Sequence, residues 1–160
     1  MIIRQSCAMP ENLFGIDLLE DRVAIARNLN PNINFECGNA ETLPYESLCF
    51  DIVIQCTMFT SILDPKMKIN VANEMIRVLR TDGFIIWYDY HVNNPWNPDV
   101  RGIKKNEIAQ LFPECKFWMK RITLAPPLAS LISPFSFILA DLLEKVPFFC
   151  THYIGLIKTI

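Results

Sequence analysis

The chain has 160 residues, about one domain's worth, and with 51 % hydrophobic and 20 % charged residues it is too apolar to stay disordered. Its 15 Lys and Arg against 17 Asp and Glu leave a net charge of −2, which supplies no broad basic field and disfavours a binder of nucleic-acid backbones. The five glycines, Gly15, Gly38, Gly83, Gly102 and Gly155, never fall two apart, so G-x-G and P-loop phosphate cradles are absent.

The six cysteines form no C-x-x-C, and no cationic, apolar leader opens the chain, so they read as reduced thiols of a cytoplasmic protein. The two histidines, His91 and His152, lie far apart without clustered partners, and no metal site is expected. The most lipid-like stretch, Leu128 to Leu143, is broken by Pro134 and Asp141. It is shorter than the roughly 20 residues of a spanning helix, so no transmembrane segment is expected.

Strands and helices alternate along the chain. Leu13 to Asp17 is an apolar run ending in an acid, the pattern of a buried parallel strand. A helix follows from Leu19 to Leu29 with a wide apolar face in which Leu18, the Arg22 stem, Ile25 and Leu29 alternate with Leu19, Val23 and Ala26, and Asn30-Pro31-Asn32 stops it. Ile33 to Cys37 alternates with period two as a strand nearer the sheet edge, and Phe50 to Gln55 is the strongest interior strand. Asp64-Pro65 caps a helix whose face is Ile69, Ala72, Ile76 and Leu79, with Gly83 as its stop. Phe84 to Tyr90 is the next strand, and a turn-rich loop follows from His91 to Arg101. A short helix over Lys104 to Phe112, a strand over Cys115 to Thr123, a helix over Leu128 to Lys145 kinked or restarted near Pro134, and a strand over Phe148 to Lys158 complete the order. Residues 1–160 read as a single domain of the α/β class.

Four segments in this order resemble the class I S-adenosylmethionine-dependent methyltransferases: Gly15-Ile16-Asp17, Gly38-Asn39-Ala40-Glu41-Thr42-Leu43-Pro44, Phe50-Asp51-Ile52-Val53-Ile54, and Arg77-Val78-Leu79-Arg80-Thr81-Asp82-Gly83. The resemblance implies a Rossmann-like, mostly parallel sheet with a C-terminal antiparallel strand. It also implies S-adenosylmethionine as cofactor, held by Asp17, Leu18, Asn39, Ala40 and Gln55. A carboxylate at a strand end can accept the hydrogens of both ribose hydroxyls, as Asp17 would, or it can cap the next helix. Asn39 can accept from the adenine amino group, with the Ala40 amide donating to a ring nitrogen, or it can merely form a turn. Leu18 and Leu43 can sandwich the adenine ring or serve as plain core.

Gln55 to Thr60 and Asp89 to Trp96 leave the carboxyl ends of two central strands, where ligands of open α/β sheets bind. A small-molecule methyl acceptor would meet Thr57, Phe59, Tyr90, Asn94 and Trp96. Asp89 and His91, two apart on an extended strand, project to one side, so His91 could act as general base with Asp89 holding its tautomer. Methyl transfer from a sulfonium depends mainly on alignment, so the base is dispensable.

The family's first strand and glycine-rich turn have no counterpart ahead of Asp17. The sequence therefore reads as an N-terminally truncated form, with weak or absent cofactor binding and doubtful activity. In the family's strand order the missing strand lies between Leu13 to Asp17 and Phe50 to Gln55. Three closures of that gap follow: direct pairing of the two strands, insertion of Met1 to Cys7, or a homodimer, with direct pairing favoured because it needs no new element. Two other functions fit the same sheet, a non-catalytic interaction protein and an NAD-dependent oxidoreductase. A basic cluster of Arg101, Lys104, Lys105, Lys116, Lys120 and Arg121 precedes the Phe- and Leu-rich helix. It is either a solvated face or an attractor for an anionic substrate or lipid head groups.

Overall fold

The computed structural model describes residues 8–94 and 97–160. The chain divides into two compact units, Met1–Tyr45 and Glu46–Ile160.

In the first unit, β1 (Phe14–Asp17), α1 (Glu20–Leu29) and β2 (Asn34–Cys37) form a parallel pair joined by a helix. Asp17 lies opposite Cys37, and the Gly38 amide donates to the Asp17 carbonyl at 2.9 Å, so both strands end at one edge. Glu20 and Asp21 occupy the first turn of α1, the positive end of its dipole, and the Arg27 guanidinium ties the helix to the Phe35 carbonyl through Nε (3.0 Å) and Nη2 (2.8 Å). Val23 is the only buried residue of α1. Leu18, Ile25 and Leu29 of the expected wide apolar face are exposed. A helix lying on two four-residue strands has room to bury only a narrow stripe.

The second unit is a four-stranded mixed sheet in the order β3-β4-β6-β5, formed by β3 (Phe50–Cys56), β4 (Leu79–Tyr90), β5 (Cys115–Leu124) and β6 (Cys150–Thr159). β3 and β4 are parallel, and β6 is antiparallel to both of its neighbours. Helices α2 (Pro65–Val78) and α3 (Lys105–Leu111) fall between the strands, and α4 (Pro126–Ile132) and α5 (Phe137–Glu144) form a hairpin between β5 and β6. The interruption expected near Pro134 is thus a full break between two helices.

The core centres on the fully buried Trp87, whose ring lies 4.8 Å from that of Phe59 and 6.1 Å from that of Phe112. Ile85, Ile157, Ile108 and the α2 residues Val71, Ala72, Met75 and Val78 are buried as well. Asp64 caps α2 as expected, its Oδ1 accepting the Lys66 amide at 2.9 Å, with Pro65 in the first turn.

Three expectations are corrected. The inward face of α2 is Lys68, Val71, Ala72, Met75 and Val78, while Ile69 is exposed. Lys68 is tolerated inside because its ammonium meets Glu107 of α3 at 2.6 Å. Gly83 does not end α2: the helix stops at Val78, the chain enters β4 at Leu79, and Gly83 lies within that strand. There the β3–β4 register jumps from Phe50↔Leu79 to Ile52↔Phe84, and a side chain at Gly83 would place its Cβ 2.6 Å from the Asp51 carbonyl oxygen.

The direct pairing of β1 with β3 is also not found. β1 pairs with β2, β3 pairs with β4, and the two pairs belong to separate sheets. The alternative insertion of Met1 to Cys7 lies outside the described residues.

Candidate functional site

At the carboxyl edge of the first unit, β1 delivers Asp17 and Leu18, and β2 delivers Asn39 and Ala40 through Gly38. Asp17 Oδ1 accepts the Leu19 amide at 2.9 Å, an Asx-type turn that leads the chain into α1 and fixes the carboxylate at the strand end. The helix-leading role and the ligand role coexist, because Oδ1 holds the turn while Oδ2 remains an acceptor. Leu18 is 63 % exposed beside it, an apolar side chain without burial at the edge. Asn39 adopts the turn its sequence position suggested: Oδ1 accepts the Glu41 amide at 2.9 Å, and Nδ2 donates to Glu41 Oε1 at 3.2 Å. Because Cys37 is the register partner of Asp17, Asn39 lies two residues beyond it, within about 12 Å of Asp17 between Cα atoms. Leu43, the other candidate for the adenine ring, is partly buried in the loop beyond.

The second unit builds its carboxyl edge around Asp89. That side chain is fully buried, and it accepts from Gln55 Nε2 (3.0 Å), the Thr60 hydroxyl (2.8 Å), the Thr60 amide (3.4 Å) and the Tyr90 amide (2.8 Å). Burial pushes its pKa up, and the bonds from Thr60, Tyr90 and Gln55 offset this in part. The other end of Gln55 accepts the Met58 amide at 3.2 Å, so this side chain is engaged at both ends within the fold. Its task is to join β3, β4 and the turn between β3 and α2. In that turn Thr57 has φ +52°, a left-handed conformation uncommon for threonine, and its amide bonds the Tyr88 carbonyl at 2.8 Å.

His91 is buried, with Nε2 2.9 Å from the Cys150 carbonyl and its ring 4.5 Å from that of Tyr153. A carbonyl only accepts, so Nε2 holds the proton and Nδ1 is the basic nitrogen. Burial lowers the His91 pKa from its ordinary value, which favours the neutral ring. The expected Asp89–His91 partnership is therefore corrected. The tautomer is set by Cys150 on β6, and the Asp89 oxygens are taken by Gln55, Thr60 and Tyr90.

Of the expected acceptor wall, Phe59 is fully buried against Trp87 and belongs to the core. Thr57 and Asn94 are exposed and Tyr90 is half-buried, while Trp96 lies outside the described residues. Sequence reasoning missed Thr60 and His152. The His152 ring stacks on Tyr88 at 4.7 Å and lies 3.8 Å from the Tyr90 ring, and its Nδ1 is 3.0 Å from the Thr151 hydroxyl. Only the β4–β6 register, Tyr90↔His152, reveals that grouping.

Residues 2–83, about half of the chain, match the family described as a methyltransferase domain. Among curated proteins, the chain is similar to phthiotriol/phenolphthiotriol dimycocerosates methyltransferase 1 of Mycobacterium ulcerans, 28 % identical over 106 residues. That alignment covers 63 % of this chain and 38 % of the relative, so the chain spans well under half of that protein's length. Its fold is similar to that of a SAM-dependent methyltransferase from Methanosarcina mazei, with TM-score 0.64 and 13 % identity over 92 % of this chain and 82 % of that one. It is likewise similar to a SAM-dependent methyltransferase from Archaeoglobus fulgidus, with TM-score 0.65 and 11 % identity over 91 % and 75 %. The family match, together with an acid at the end of β1 and a sheet order that places the antiparallel β6 between β4 and β5, shows that this chain belongs to the class I S-adenosylmethionine-dependent methyltransferases.

Proposed function

We propose that the chain serves S-adenosylmethionine-dependent methyl transfer to a small-molecule acceptor in the cytoplasm. The observation that supports this best is the Asp17↔Cys37 register, by which β1 and β2 end together and lead into Leu18 on one side and Asn39 and Ala40 on the other. This donor set fits an adenosine: a carboxylate oxygen for ribose hydroxyls, an exposed leucine for a ring face, and an amide side chain and a backbone N–H for the base edge. The bound cofactor would supply a methyl group on a sulfonium centre, already activated for displacement. Asp17 would orient the ribose, and Asn39 and the Ala40 amide would fix the base. Gln55 would act by holding the turn after β3. Thr57, Tyr90 and Asn94 would position the acceptor, and because transfer from a sulfonium depends mainly on alignment, the buried His91 is not required as a base. The family match runs through both compact units, which supports residues 1–160 working as one methyltransferase-like domain.

Titration with S-adenosylmethionine and with adenosine, followed by backbone amide NMR, tests this reading. Shifts are expected at Asp17, Leu18, Asn39 and Ala40, with Asp17→Ala weakening binding by at least about tenfold, as loss of one or two charge-assisted hydrogen bonds implies. Shifts confined to other residues, or an unchanged affinity in Asp17→Ala, would remove the assignment.

A further inference from the structure

The second unit exposes apolar surface at a place that neither its core nor the proposed methyl-transfer groups use. Around the α4–α5 hairpin, Phe135, Phe137 and Ile138 at the junction of the two helices are 86, 79 and 76 % exposed, Phe148 in the turn after α5 is 82 % exposed, and Leu131 and Leu142 are exposed with them. Soluble surfaces scatter single apolar residues, and four side chains more than three-quarters exposed within 14 positions exceed that scatter. The hairpin is held in place at its root. The Thr123 amide donates to Glu144 Oε1 at 3.0 Å, the Ala125 amide to the Phe149 carbonyl at 2.9 Å, and the Cys150 thiol to the Glu144 carbonyl at 3.1 Å.

Its charges sort by position. Asp141 is paired with Lys145 at 2.7 Å, and Glu144 is engaged at the root. Lys120 and Arg121, on the exposed part of β5 just before the hairpin, make no ion pair among the described residues. The β5–β6 register sets Lys120 opposite Ile154 and Arg121 opposite Tyr153, on alternate faces of the edge strand and a few residues before Leu124 meets Cys150 at that root. The result is an apolar hairpin that follows a cationic stretch of edge strand. Among the described residues no helix is long and apolar enough to cross a membrane, and α4 and α5 have seven and eight residues. An eight-residue helix is about 12 Å long, which suits burial within the head-group and upper acyl region and not a span.

We propose that the α4–α5 hairpin docks this protein on an anionic lipid surface, with Phe135, Phe137, Ile138 and Phe148 entering the interface and Lys120 and Arg121 meeting lipid phosphates. A second copy is a poorer occupant. The acids of the hairpin, Asp141 and Glu144, are already engaged by Lys145 and the Thr123 amide, so a second copy presents no free acid to Lys120 and Arg121. β5 is antiparallel to β6, and β6 to β4, so β5 runs parallel to β3 and β4. The hairpin therefore leaves the same edge of the sheet as Thr57 and His91, and docking turns that edge toward the bilayer.

Flotation of the full chain with phosphatidylcholine vesicles, with and without one quarter phosphatidylglycerol, tests the proposal. Binding is expected to be strongest to the anionic vesicles. Phe135→Glu/Phe148→Glu and the milder Phe135→Ser/Phe148→Ser should each reduce it at least tenfold while circular dichroism stays unchanged. Lys120→Gln/Arg121→Gln should remove most of the preference for phosphatidylglycerol and leave the weaker binding to phosphatidylcholine. No vesicle binding by the unmodified chain, or binding equal in the folded serine variant, overturns the proposal. So does light scattering that shows a dimer which the serine variant dissociates.

Discussion

Asp89 and the two histidines show how burial changes the meaning of residues that look catalytic in a sequence. Asp89 accepts from three residues with no solvent contact, so removing its carboxylate leaves the Gln55 amide without an acceptor and the Thr60 hydroxyl with only the Thr57 carbonyl at 3.5 Å. Each orphaned donor costs about 1–3 kcal/mol. Asp89→Ala is expected to lose about 2–4 kcal/mol in urea unfolding, and Asp89→Asn clearly less because it keeps the shape and one acceptor oxygen. Equal stability of all three proteins would show that the carboxylate is not a structural hub. The histidines give a pH signature. Burial lowers the pKa of both His91 and His152 from the ordinary 6.5. The unfolded chain then binds more protons than the folded one in mild acid. Their contribution to stability is complete above pH 6.5 and lost as pH falls through the lowered values, by up to about 1.4 kcal/mol per pH unit for each group. Asp89 has the opposite sign. Its raised pKa contributes stability below 3.8 that is lost as pH rises through the raised value, so it partly opposes the histidines in moderate acid. The urea midpoint is expected to fall between pH 7.5 and 5.5, and His91→Gln/His152→Gln should flatten that fall.

Among the elements, the legible features were those whose physics is local. The cap at Asp64-Pro65, the strand-ending acid at Asp17 and the turn at Gly38-Asn39 depend on neighbours a few residues away, and they stand where the sequence placed them. Features that depend on a distant strand were not legible. Phe59 looked like a pocket wall until Trp87 was brought against it, and Thr60 had no signal until Asp89 lay beside it. Gly83 looked like a helix stop because glycine commonly is one, but here it admits the Asp51 carbonyl at a register shift. A methyl group there meets the backbone oxygen of Asp51 at 2.6 Å and that of Arg80 at 3.1 Å, and neither can rotate away. Gly83→Ala is accordingly expected to cost about 1–3 kcal/mol, read as a lowered thermal midpoint. An unchanged midpoint would mean that β3 and β4 can separate there without penalty.

For the molecule as a whole, the two compact units differ sharply in how much apolar surface each encloses. Between residues 8 and 45 the only buried side chain is Val23, whereas the second unit encloses Trp87, Phe59, Phe112, Ile85, Ile108 and Ile157. A short parallel strand pair with one helix is marginal by itself, because parallel strands are normally covered on both faces. The second unit has the long antiparallel ladders of β6 with β4 and β5 to resist opening. Local opening should therefore be graded along the chain. Amides of Ile85 to Asp89 and Tyr153 to Ile157 are expected to exchange slowest, close to the global unfolding limit. Those of Gly15 to Asp17 and Phe35 to Cys37 should exchange at least a hundredfold faster. A ligand that binds only the folded first unit stabilises it by mass action, so saturating S-adenosylmethionine is expected to slow exchange at Gly15 to Asp17 and leave Ile85 to Asp89 nearly unchanged. Uniform protection across both units without ligand would show that they unfold as one cooperative body. Slowing confined to β4 and β6 on adding the cofactor would move the adenosine site away from Asp17 and Asn39.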